Sequence, residues 1–195
     1  MIRSVLPLAA ALLAVACSRS GPPPNMYVLG NPQTVVTASM SDSHMPVIEV
    51  AGVRVPGYLD TTEIVTRNGS QIVPSATGQW AERLSIGVAR ALAADLATRL
   101  PTMLVTTTQP LSPPARQVLL NVDTMEARPD HQVVMITNWS IMDGTTERTF
   151  LSRHSTFATP IQGTGDAAVV AAMTRAVAEL ADQVANGIRQ APPRH

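Results

Sequence analysis

The chain has 195 residues, and its 14 basic side chains, all arginine, balance 14 acidic ones. That length suits one domain with a sizeable core, and charged residues at 14% against 45% hydrophobic exclude a disordered charged chain. Neutrality and six aromatics exclude the basic, stacking surface of a nucleic-acid binder, and the lack of lysine rules out Schiff-base chemistry and the phosphate-gripping lysine of a P-loop.

The N-terminus reads Met1-Ile2-Arg3-Ser4, then an apolar run from Val5 to Ala16, then Cys17. One positive charge before an apolar stretch and small residues is the layout of a secretory signal. The run is too short to span a bilayer core, which needs about 20 helical residues. Cys17 is the only cysteine. Leu13-Ala14-Val15-Ala16-Cys17 resembles a bacterial lipobox, with its leucine one place further upstream than usual. Residues 1–16 are therefore expected to be a removed signal peptide. Cys17 is expected to carry a covalent lipid and anchor the chain to a membrane, with no other cofactor. Ser18 after the cysteine is, in lipoproteins of this kind, permissive for the outer membrane; the periplasmic face of the inner membrane is the alternative. Residues 17–25 then form a tether, in which Pro22-Pro23-Pro24 favours polyproline II, so Ser18–Asn25 reaches about 25 Å.

A single folded domain is expected over 26–190, followed by a polar tail over 191–195. Met26–Leu29 and Val47–Val55 read as strands, the second by alternation. Glu63–Arg67 and Gln71–Val73 flank Asn68-Gly69, which suits a type I′ hairpin turn. From Trp80 to Leu100, apolar residues recur at three and four, predicting a helix that Pro101 stops. Leu104–Thr108 and Val118–Val122 read as strands. Val133, Met135, Thr137, Trp139 and Ile141 share one face of the next, and Asp143-Gly144 turns into a last strand over Thr145–Phe157. Asp166 is placed to cap a final helix whose face carries Val170, Met173, Val177, Leu180, Val184 and Ile188. The expected class is α+β: a two-layer α/β sandwich, with a mostly antiparallel sheet and two main amphipathic helices on one face.

Signatures of chemistry are sparse. His44, His131, His154 and His195 are scattered without metal-ligand spacing, and the one thiol is assigned to lipid, so no metal site is expected. No GxSxG occurs, and no catalytic residue is assigned. Gly163-Thr164-Gly165 before a helix could cradle an anion, but Asp166 would repel it. Tyr58, Leu59 and Asp60 stand out as an aromatic and a leucine in a loop after a strand. They either plug the core edge or face a partner. Trp80 and Trp139 are expected in the core, with Glu82 on the wet side of the first helix.

These segments together resemble the ABC-type transport auxiliary lipoproteins, the PqiC-like family. The pattern runs through Tyr27-Val28-Leu29, Ile48-Glu49-Val50, Val55-Pro56-Gly57-Tyr58-Leu59-Asp60 and Ile64-Val65-Thr66-Arg67. Trp80-Ala81-Glu82-Arg83-Leu84 then opens a helix, and Trp139 lies on a later strand. The resemblance implies an outer-membrane lipoprotein facing the periplasm, working as an adaptor beside an MCE-family protein of a lipid transport system. It implies no ATPase or other enzymatic site. A lipid-binding or shuttling lipoprotein is the alternative, with an envelope hydrolase third. Self-association is left open by the sequence. Cys17→Ser is expected to leave the chain unacylated and to shift it from the membrane to the soluble fraction on centrifugation. Tight membrane retention without the thiol would refute the anchor.

Overall fold

A computed structural model describes residues 22–30 and 45–191. The signal, Cys17 and the start of the tether lie outside the described residues. The chain runs β1 (Asn25–Tyr27), β2 (Val47–Arg54), β3 (Glu63–Asn68), β4 (Gln71–Trp80), α1 (Leu84–Arg99), β5 (Leu104–Thr106), β6 (Arg116–Ala127), β7 (Gln132–Asp143), β8 (Thr149–Pro160) and α2 (Gly165–Gln190). All eight strands join one sheet, in which β1-β4-β3-β6-β2-β5 are successive neighbours and β7 and β8 continue from β6.

Both helices and the α+β class are as expected, but the sheet is mixed rather than mostly antiparallel. Four of its seven pairings are parallel: β1 with β4, β2 with β5, β2 with β6, and β3 with β6. The antiparallel ladders are the hairpins β3–β4, β6–β7 and β7–β8. Strands joined by a short turn must reverse, whereas a helical crossover returns the chain to its starting end. Here α1 makes that return, so β5 and β6 run alongside β2 in its own direction. Alternation within a strand carries no record of this.

Several boundaries also move. Trp80 does not open the helix; it ends β4, paired with Tyr27 of β1, and α1 starts at Leu84. The hairpin turn centres on Gly69 and Ser70, because Asn68 pairs with Gln71. Only Gly69 has a positive φ there (60°), whereas type I′ needs two such residues and type II′ needs one, at the first position. A bulge between Val50 and Gly52 interrupts the alternation expected along β2, and ahead of it Ile48, Glu49 and Val50 are all buried. The last strand starts at Thr149, not Thr145, because the Asp143 carboxylate accepts the Thr145 and Thr146 amides at 3.0 and 2.9 Å. Asp166 does not cap α2. The cap position is Thr164, and Asp166 instead accepts the Thr77 hydroxyl of β4 at 2.6 Å.

The helices form one layer, α1 over β2 and β5, α2 over β7 and β8, and each against the other. Val88, Leu92 and Leu96 of α1 and Val177, Leu180 and Val184 of α2 are fully buried beside Val118, Leu120, Met135 and Ile141 of the sheet. Each such side chain contributes roughly 1.5–3 kcal/mol by leaving water. Arg99, at the end of α1, locks the layer: it donates to Asp182 of α2 at 2.6 Å, to the Ala178 carbonyl at 3.0 Å and to Asp95 at 3.1 Å. Gly144 meets the backbone where no side chain fits, since a Cβ there would lie 2.2 Å from the Pro114 carbonyl oxygen. Gly144→Ala is expected to destabilise the fold by about 1–3 kcal/mol or more, read as a lower midpoint in urea unfolding.

Candidate functional site

β6 lends one edge to two strands. β2 pairs with its Arg116–Asn121 half, while β3 meets it only at Ala127. The connection from β2 to β3 carries Pro56-Gly57-Tyr58-Leu59-Asp60, and the Pro56 carbonyl accepts the amides of Leu59 and Asp60 at 2.8 and 2.9 Å, curling it into a tight turn. The three loop residues singled out by sequence then part ways. Leu59 is buried in the core. Asp60 accepts the Ser85 amide at 3.0 Å, supplying the first turn of α1 with the acceptor that Arg83 at the cap position does not provide. Tyr58 keeps 40% of its surface in water.

The inner end of Tyr58 reaches a group that sequence reasoning missed. Its hydroxyl donates to Glu126 of β6 at 2.5 Å, and the Glu126 side chain is wholly buried. Arg67 of β3 donates from Nε to the other carboxylate oxygen and from an Nη to Oε1 at 2.8 Å. The same guanidinium donates to the Tyr58 oxygen at 3.1 Å and lies 5.7 Å from the ring centre. Burial pushes the Glu126 carboxyl up, but the hydrogen bonds from Arg67 and Tyr58, with the charges of Arg67 and Arg128, outweigh it and hold the carboxyl below its ordinary value of 4.5. Burial and the bond to Glu126 push the Tyr58 phenol up. Hydrogen bonds to Glu126 and Tyr58 push Arg67 up as well. The cluster thus stays as carboxylate, neutral phenol and guanidinium across physiological pH: a latch rather than an acid–base pair. A carboxylate between apolar Met125 and Ala127 was the available signal in the sequence, but the strand expected there stopped at Val122.

The other marked residues are structural in their contacts. Trp80 is buried, and Glu82 accepts from Arg90 of α1 at 2.9 Å from Nε and 2.5 Å from an Nη. Trp139 is buried on β7 and donates to the Ser155 hydroxyl at 3.0 Å, which in turn donates to Gln183 of α2 at 2.6 Å. Beside the latch loop, the β2 bulge and the first turns of α1 enclose an open hollow of about 350 Å³, lined by Val50, Val53, Ser85, Ile86, Ala89 and Arg90 among others. Ile86 is half exposed at its rim. On the opposite sheet face, which neither helix covers, Asn138 bridges His154 (3.0 Å) and Asp123 (2.6 Å). Among the described residues, no three His, Cys, Asp or Glu side chains stand together as a metal site.

The family model for the ABC-type transport auxiliary lipoprotein component matches residues 27–185, from β1 into the last turns of α2. The chain belongs to this family. A crystal structure of an uncharacterised protein superposes with a TM-score of 0.71 at 20% identity, covering 85% of this chain and 99% of the other. A protein from Xanthomonas campestris superposes with a TM-score of 0.61 at 16% identity, covering 85% and 91%. At such identities the likeness shows the fold alone. No curated protein matches the sequence. This auxiliary lipoprotein is thus a member of a transport-component family, not of an enzyme family. None of its described helices is long and apolar enough to cross a membrane.

The latch carries a pH signature. A carboxyl held below its unfolded value contributes stability that is complete above the ordinary carboxylate range and is lost as pH falls through the lower folded value. Urea unfolding at a series of pH values is expected to show stability declining below about pH 4.5, and Glu126→Gln is expected to lower stability at neutral pH while flattening that acid limb. Tyr58→Phe, which removes one of the donors, is expected to cost about 1 kcal/mol.

Proposed function

We propose that this auxiliary lipoprotein is held at the outer membrane by lipid on Cys17 and serves as an adaptor for an MCE-type lipid transport system, contributing to envelope integrity. The observation that carries the reading is membership of the transport-auxiliary family across 27–185, in a chain whose folded part begins only eight residues after a lipobox-like cysteine. Two or three acyl chains on one cysteine hold a protein on a bilayer for long times, where a single chain holds it marginally. A proline-stiffened tether then keeps β1 within about 25 Å of the lipid surface. Without lysine the chain lacks the phosphate-gripping residue of a P-loop, so in this reading ATP is used elsewhere, by the ABC partner.

The contact offered to the MCE-family protein is the Pro56–Asp60 loop. Tyr58 shows its ring to solvent from a fixed position, tied to Glu126 and Arg67, and an immobilised aromatic suits an interface centre because little side-chain freedom is lost on docking. Leu59 supports the loop from the core, Asp60 pins it to α1, and the adjoining hollow with Ile86 extends the apolar surface.

The test is co-purification. The full-length lipoprotein, extracted from membranes in mild detergent, is expected to retain the MCE-family protein of the same cell. Tyr58→Ala is expected to reduce the captured partner about tenfold, while Tyr58→Phe, which loosens the latch but keeps the ring, retains it. Failure of the folded wild-type protein to bind at micromolar concentration would refute the adaptor role. Equal binding by Tyr58→Ala would move the contact elsewhere on the domain.

A further inference from the structure

Beyond Ala127, the last residue of β6, the Arg128 amide still bonds the Gln132 carbonyl at 2.8 Å, so the β6–β7 ladder continues for one more step. Arg128 therefore points to the same side as Glu126, two residues before it, on the sheet face that neither helix covers. On the neighbouring strand, Thr66 pairs in parallel with Ala127, and the next residue is Arg67. The Arg67 guanidinium is on that same face, because it bonds Glu126. Two arginines on adjacent strands thus share one carboxylate, and like charges so placed repel one another.

The carboxylate is spent on one of the two. Both its oxygens accept from Arg67, and Oε1 takes the Tyr58 hydroxyl as well. Arg128 is near enough for its charge to act on Glu126, yet among the described residues its side chain makes no ion pair and no hydrogen bond. Its Nε is shut away from water without an acceptor. Exposed arginines such as Arg54 and Arg153 meet water instead, whereas the buried N–H of Arg128 has no such recourse. Asp130, in the adjoining turn, is exposed and forms no ion pair with it. With Arg67, Arg128 and Glu126 all charged, the group carries one net positive charge.

We propose that Arg128, with Arg67 beside it, binds a phosphate group, carried on the headgroup of a phospholipid or present as the free ion. The planar fork of a guanidinium matches a pair of phosphate oxygens, and one net positive charge matches the single negative charge of a phosphodiester. Partial burial of Arg128 limits screening by salt. The direction of the tether favours the lipid source. β1 runs parallel to β4 with Asn25 opposite Gly78, and β4 runs antiparallel to β3, so the chain upstream of Asn25 leaves toward the end of the sheet that holds Arg128. A bilayer anchored through Cys17 would lie off that end. The lipid source rests on the proposed anchor, whereas the site itself does not.

The test uses the full-length lipoprotein in a neutral detergent at low salt, with two probes that carry no acyl chains: inorganic phosphate and glycerophosphoglycerol, the headgroup of an anionic phospholipid. Phosphorus NMR titrations are expected to give a Kd on the order of 1 mM or below for at least one of them. Arg128→Gln is expected to weaken that binding about tenfold or more, and Arg128→Lys, which keeps the charge but loses the fork, to weaken it less. Should Arg128→Gln fail to fold by circular dichroism, Arg128→Lys against the wild type carries the comparison. Arg153→Gln, which removes an exposed arginine outside the site, is expected to change nothing. Tighter binding of glycerophosphoglycerol assigns the site to a lipid headgroup, and tighter binding of inorganic phosphate assigns it to the free ion; each supports the site. No binding of either probe up to about 10 mM overturns the proposal. So does an equal loss in Arg128→Gln and Arg153→Gln, the mark of net charge alone. Because neither probe needs the anchor or a protein partner, failure here leaves the adaptor reading standing, and failure of that reading leaves the site.

Discussion

Glu126 is a carboxylate shut away from water on the strand that most of the sheet is built upon, and it has to be met by charge where it lies. Leaving such a group unpaired costs several kcal/mol, enough to remove a large part of the stability of an ordinary domain. Arg67 and Tyr58 meet it together, one from β3 and one from the connection before it, and bond each other as they do so. The requirement then spreads along the chain. Because Tyr58, Leu59 and Asp60 are consecutive, holding the phenol on Glu126 delivers the leucine to the core and the aspartate to the start of α1. One buried charge thereby sets the loop, seats a core residue and supplies an acceptor to a helix end.

The helix layer is tied down by a second set of polar contacts. Arg99 gathers Asp95, Asp182 and the Ala178 carbonyl, and its hydrogen bond holds the Asp182 carboxyl below the usual carboxylate range. Arg189 of α2 in turn donates to the Arg99 carbonyl at 3.1 Å, satisfying a main-chain acceptor at the end of α1. The Trp139–Ser155–Gln183 chain passes from sheet to helix through the interior, giving the indole N–H the acceptor that burial demands. With both layers joined this way, the exposed features that matter for recognition sit on a rigid body. The Tyr58 loop and its hollow lie beside the N-terminus of α1.

Much of this protein was legible before any coordinates. The apolar stripe of α2, the inward row from Val133 to Ile141 and the three-strand meander follow from periodicity, because side-chain direction within an element is set by local backbone geometry. Family membership was legible from short motifs kept in order. The position of Cys17 after an apolar run carries the expectation of an anchor, on a segment that lies outside the described residues.

What only the tertiary structure decided are the relations between elements. The Glu126 contacts join residues 68 and 59 positions apart, the sheet is mixed because α1 carries the chain back to its starting end, and Trp80 ends a strand because β1 is there to pair with it. Asp60 and Asp166 each found an acceptor's work away from the place that local pattern assigned. Periodicity states that a face will be covered. Which segment covers it depends on loop closures and charge pairings between distant parts of the chain, and those have no local signature.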